Sequence, residues 1–245
     1  MKITVFESER VLARTLAVQI AASLGQRPAT VLGLATGRTP IRLYHELGTL
    51  HAHGQVDFSR ATSFNLDEFA GVAGDHPGSY RMFMHEHLFS RVNLPPERIH
   101  FLDGAAADPA AECERYETAI AAAGGIDLQI LGIGTNGHIG FNEPARTLEP
   151  RTHYVGLKAS TRRSNAGLFL GDLAKVPTHA LSMGMATILH ARRIVLMAIG
   201  KSKAKCVERM VKGPIDPRMP ASFLQLHRDV EIVVDRAAAS VLGQG

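Results

Sequence analysis

Apolar residues follow two rhythms along this chain. Short apolar runs alternate with stretches where apolar residues recur every three or four positions. The runs are ITVF (3–6), TVLGLATG (30–37), ATSFNLDEF (61–69), RIHFL (98–102), IDLQILGIG (126–134), THALSMG (178–184), RRIVLMAIG (192–200) and VEIVV (230–234). Each predicts a strand, the first a short buried one. Val11, Leu12, Leu16, Ile20 and Leu24 give helical spacing over 8–24. Further helices are predicted behind Pro40, over 79–90, over 109–123 with a stop at Gly124-Gly125, over 160–170 and over 201–211. Strands that alternate with helices predict an α/β fold, a Rossmann-like, mostly parallel sheet with helices on both faces. No repeat or low-complexity linker interrupts it, so 1–245 reads as one domain. In such sheets ligands sit beyond the carboxyl ends of the strands. That directs attention to the loops at 35–39, 65–71, 132–144 and 200–203.

Composition narrows the function. Of 245 residues, 45% are hydrophobic and 20% charged, as in ordinary globular proteins. The formal net charge is +4, and the basic residues are scattered. That argues against a nucleic-acid partner and suits an anionic small molecule. Two cysteines, Cys113 and Cys206, form no C-x-x-C pair, which points to a reducing, cytoplasmic setting. Glu7, Glu9 and Arg10 stand where a signal peptide needs an apolar run, and no stretch is long and apolar enough for a membrane span. The pairs His51/His53 and His85/His87 point to different sides of a helix and lack a third ligand, so no metal site is expected.

The central loop, GIGTNGHIGFNEP (132–144), opens with G-x-G-x-x-G after an apolar run. A dinucleotide turn would need a helix to start at the third glycine and an acidic residue about 20 positions on. Instead HIGFNEP follows Gly137, and residues 155–158 read Val-Gly-Leu-Lys. The alternative makes His138 and Glu143 the working pair, with glycines letting the backbone fold closely around a ligand. On spacing alone, a loop histidine with a surface carboxylate explains the pattern at least as well. Asp67-Glu68, at the end of a predicted strand, could equally be a turn or helix cap. ATGRTP (35–40) offers Thr36, Gly37, Arg38 and Thr39 at a helix start, either as an anion site or as a plain tight turn. Lys203, in the first turn of a predicted helix, is a cation where anions are ordinarily preferred.

Taken together, LGLATGRTP (32–40), NLDEF (65–69), HPGSYRMFM (76–84), LGIGTNGHIGFNEP (131–144), GKSKA (200–204) and SFLQLH (222–227) resemble the glucosamine-6-phosphate deaminase (isomerase) family over nearly the whole chain. The resemblance implies conversion of an aminosugar phosphate and water to a ketose phosphate and ammonia, without metal or other cofactor. It implies that His138, tuned by Asn136 and Glu143, opens the sugar ring. Asp67 is then implied as the base that moves the carbon-2 proton to carbon 1. Glu68 is expected to be structural. Thr36, Gly37, Arg38, Thr39 and Lys203 are implied as phosphate ligands. The substrate is expected to be glucosamine 6-phosphate. Galactosamine 6-phosphate, a 6-phosphogluconolactonase-like hydrolysis and a non-catalytic sugar-phosphate sensor are the alternatives. A small-molecule sugar phosphate is the expected partner, with no membrane, and a homo-oligomer is left open.

Three departures from the family pattern stand out. Asn136 replaces an acid, so it can orient His138 but cannot lend it charge. Gly167 occupies the position of a phosphate-binding arginine, which leaves Arg162 and Arg163, about a turn earlier, to reach in. His153, Val155 and Gly156 replace basic residues of an allosteric site, so no activation by an acetylated sugar phosphate is expected.

Overall fold

The computed structural model describes residues 1–243. Its centre is a seven-stranded sheet, made of β1 (Lys2–Phe6), β2 (Val31–Leu34), β3 (Thr62–Asn65), β5 (Ile99–His100), β6 (Leu128–Leu131), β9 (Arg193–Ala198) and β10 (Val230–Asp235). The strands run in the order β1-β10-β9-β6-β2-β3-β5, and every pairing is parallel. The order reverses between β6 and β2: after β2 the chain moves outward through β3 and β5, and after β6 it moves the other way. The loops leaving β2 and β6 therefore part and open a crevice between them.

Alternation along the buried strands feeds two helical layers. Leu32 and Val195 point into one core with α1 (Glu9–Gln26), α2 (Ile41–Ala52) and α3 (Tyr80–His87). Val31 and Ile194 point into the other with α4 (Pro109–Ala122), α6 (Met185–Leu189) and α7 (Ala204–Lys212). Local signals fix the helix ends. Ser8 caps α1 by accepting from Val11 N, and Leu12, Leu16, Ile20 and Leu24 form its buried stripe. Asp108 caps α4 ahead of Pro109, and Gly124, at φ 83°, ends it.

Four elements differ from the sequence reading. First, β1 is a sheet edge rather than a buried strand, with Ile3 and Val5 exposed. Second, ATSFNLDEF is not one strand. Leu66 N still bonds Leu34 O at 3.0 Å, but the next residues form β4 (Asp67–Phe69) in a second sheet. Third, that sheet, β4 with β8 (His179–Ser182) and β7 (His153–Gly156), is antiparallel, and β7 and α6 were not foreseen. The four residues HYVG carry no apolar run; pairing to β8 makes them a strand. Fourth, the predicted 201–211 helix begins as a single 3-10 turn at Lys201–Lys203 before α7.

Candidate active site

Four strands in a row, β9, β6, β2 and β3, deliver their carboxyl-end loops to one rim, bringing residues 199–203, 132–144, 35–40 and 67–69 together. Asp67 is the first residue after the chain leaves the main sheet, and it pairs with Ser182 across to β8. Its side chain is buried, and its Oδ1 has no hydrogen-bond partner. Burial, and then the neighbouring Glu68, push its pKa up to about 8. Glu68 has another task. Its carboxylate accepts from the backbone N–H groups of Phe69 (2.8 Å), Tyr80 (2.9 Å) and Arg81 (3.0 Å), so it holds the start of α3. Burial nonetheless raises it to about 7.

The 132–144 loop closes on itself. Gly134 N donates to His138 O at 2.9 Å, and Gly137 N donates to Gly134 O at 3.0 Å. The His138 imidazole lies over Gly134, where any side chain would collide with the ring. Gly137 sits at φ 91° against the Met219 sulfur, so both its backbone and its surroundings require glycine. His138 Nδ1 lies 3.7 Å from Glu143 Oε2, within ion-pair range but longer than a hydrogen bond. Asn136 joins the two: Oδ1 accepts from His138 N at 3.2 Å, and Nδ2 donates to Glu143 Oε2 at 2.9 Å. Thr161 Oγ1 donates to Glu143 Oε1. Although burial opposes it, these donors and the adjacent imidazole hold Glu143 down at about 2, so it is an anion.

Asp67 and this loop meet at Gly140. At φ 56°, Gly140 brings its backbone so close that an added methyl group would lie 3.6 Å from Asp67 Oδ2. Asp67 Oδ2 thus lies against the loop that carries His138, two residues before Gly140.

The cationic side lies across the crevice. No side chain caps α2, whose first N–H, that of Ile41, donates to Arg38 O at 3.4 Å, and Thr36, Gly37, Arg38 and Thr39 lead into this helix start. Lys203 donates from Nζ to Ile133 O at 2.6 Å, which ties it to the base of the histidine loop. Burial first, and then the charge of Arg38, hold its pKa below the ordinary lysine range. Two cations that feel one another are arranged as a dianion would require.

All nine residues singled out in the sequence lie on this rim, but Arg162 does not reach it. Its guanidinium is held by Leu173 O (2.8 Å) and Val176 O (2.8 Å). Arg163 and Gly167 are exposed, and nothing crowds Gly167. Sequence reasoning missed Thr161, Ser182 and Tyr80. Ser182 Oγ, which accepts from Phe141 N at 3.0 Å, pins the loop beside Asp67. None of the three sits in a glycine-rich or charged motif, so only tertiary contact reveals them. Among the described residues, no three His, Cys, Asp or Glu side chains cluster as metal ligands would, and no helix is long and apolar enough to cross a membrane.

The family model described as "Glucosamine-6-phosphate isomerases/6-phosphogluconolactonase" matches residues 6–233. The chain belongs to this family. Within it, the chain is 46% identical to the glucosamine-6-phosphate deaminase of Halothermothrix orenii, covering 99% of this chain and 100% of that one. It is 46% identical to glucosamine-6-phosphate deaminase 2 of Bacillus subtilis, over 99% and 98% of the two chains. The solved structure of a monomeric glucosamine-6-phosphate deaminase superposes with a TM-score of 0.95 at 42% identity, over 98% of this chain and 100% of that one. The 6-phosphogluconolactonase of Trypanosoma cruzi has a TM-score of 0.80 but only 20% identity, over 99% and 97%, and shares the fold alone.

Proposed function

We infer that this protein is a glucosamine-6-phosphate deaminase, converting glucosamine 6-phosphate and water to fructose 6-phosphate and ammonia. The observation that carries this reading is the buried carboxylate of Asp67, with one oxygen unpartnered, set against the loop that holds His138 and Glu143. Lactone hydrolysis has no need of a carbon base. Aldose–ketose isomerisation does.

In this reading the phosphate binds Thr36, Gly37, Arg38, Thr39 and Lys203, and so orients the sugar. His138 moves a proton from the anomeric hydroxyl to the ring oxygen, which opens the pyranose. Glu143 stabilises the imidazolium formed on the way, and Asn136 fixes the pair. Asp67 then takes the proton from carbon 2; the electron pair forms a carbon 1–carbon 2 double bond, and the carbonyl pair moves onto the carbon 1 oxygen, which takes a proton from the substrate's ammonium group. The same carboxylic acid returns the proton to carbon 1. Carbon 2 is left as an imine, to which water adds, and ammonia departs. A buried, proton-avid carboxylate suits a group that must both take and return a proton.

The exposed Gly167 and the committed Arg162 favour a second reading of the substrate, a different hexosamine phosphate epimer. Ammonia release from glucosamine 6-phosphate, galactosamine 6-phosphate and unphosphorylated glucosamine tests both. The first substrate should react fastest and the last scarcely at all. A lactonase with no ammonia release would end the reading.

A further inference from the structure

A chain of hydrogen bonds braces the acid–base loop from one side. The buried Tyr80 phenol donates to Asn165 Oδ1 at 3.1 Å. Asn165 Nδ2 donates back to Thr161 O at 2.9 Å, which fixes the amide along α5 (Ala159–Asn165). Thr161 Oγ1, from the first turn of α5, donates to Glu143 Oε1. Lys158, at the cap of the same helix, donates to Pro144 O at 2.6 Å, so α5 grips the Glu143-Pro144 segment twice.

Glu143 has two oxygens with different surroundings. Oε2 faces His138 and Asn136, while Oε1 faces only Thr161 among the described residues. The carboxylate is buried, so no water shell takes over if a donor is lost. Rotation of the carboxylate would break its contact with His138, and the hydroxyl on Oε1 opposes that rotation.

We propose that Thr161 is a positioning residue that holds Glu143 beside His138, and that Asn165 and Tyr80 brace the helix that carries it. The proposal rests on the deaminase reading for its kinetic consequence and on geometry alone for its structural one.

The test compares T161V and T161S with wild type in ammonia release from glucosamine 6-phosphate. T161V should lower kcat roughly 10- to 100-fold while KM changes less than about threefold, the value of one hydrogen bond to a buried charge. T161S should restore kcat to within about threefold of wild type, since only the hydroxyl matters. T161V with wild-type kcat, or T161S as impaired as T161V, would overturn the proposal. Wild type that releases no ammonia would sink the deaminase reading alone, and crystal structures of the same variants would still decide this one. Glu143 turned from His138 in T161V but not in T161S supports it; Glu143 unmoved in T161V overturns it.

Discussion

Asn136 donates a 2.9 Å hydrogen bond from its side-chain amide to Glu143, and its carbonyl oxygen is fixed in the opposite sense by His138 N. The amide is therefore not a gap in a charge relay but a donor that a carboxylate could not replace. N136D would set two carboxylates at that separation, able to coexist only by sharing a proton. The expected result is a kcat that falls relative to wild type as pH rises and that shared proton leaves, reaching at least a tenfold loss. A pH series on the purified variant checks it, and a constant ratio to wild type would refute it.

The raised pKa of Asp67 makes two linked predictions. Because the free enzyme needs the ionised carboxylate, kcat/KM should climb with pH toward a midpoint near 8. Stability should move the other way. The folded protein binds this proton more tightly than the unfolded chain, so the contribution is full below the unfolded pKa and is lost as pH rises through about 8. D67N carries no such proton. Its Tm should exceed that of wild type above pH 8, and the advantage should shrink toward acid pH. A Tm difference independent of pH would show that burial does not perturb this group.

Much of this was legible in the sequence, and the failures have physical causes. Strand ends and glycine-rich turns directed attention to the loops of Asp67, His138 and Glu143, but a plain turn or a loop histidine fits those patterns equally well, and only the family resemblance singled the three residues out. Leu32 and Val195 announced their strands because a sheet covered on both faces must be apolar throughout. The break at Leu66 was not visible, since ATSFNLDEF is continuous in pattern and its division is imposed by pairing with β2 on one side and β8 on the other. Thr161 was invisible for the same reason: its only distinguishing feature is the partner that the fold gives it.

Glu68 separates stability from chemistry. Three backbone N–H groups depend on its carboxylate, and E68A leaves them buried without a partner. A loss of about 2 kcal/mol is expected, read by urea denaturation with an unchanged m-value. Glu68 is itself raised to about 7, so its contribution is greatest at acid pH and is lost through neutrality. The penalty of E68A should accordingly be larger at acid than at alkaline pH.

Gly134 offers a substitution that strikes the site while sparing the fold. A methyl group there would occupy the space of the His138 ring and force the imidazole aside. G134A should lose at least about a hundredfold in kcat, the lower range for a general acid–base group, while its Tm stays close to that of wild type. Gly137 differs, because G137A meets both a positive φ and the Met219 sulfur. It should destabilise the protein by about 2 kcal/mol. If G134A is fully active, His138 does not work from the position seen here.

The central claim is that Asp67 moves the carbon-2 proton. Ammonia release from glucosamine 6-phosphate by folded D67N, against wild type at the same pH, tests it most directly. A loss of roughly a thousandfold or more, in the range of a missing general base, is the predicted result. Activity within about tenfold of wild type would mean that another group takes the proton.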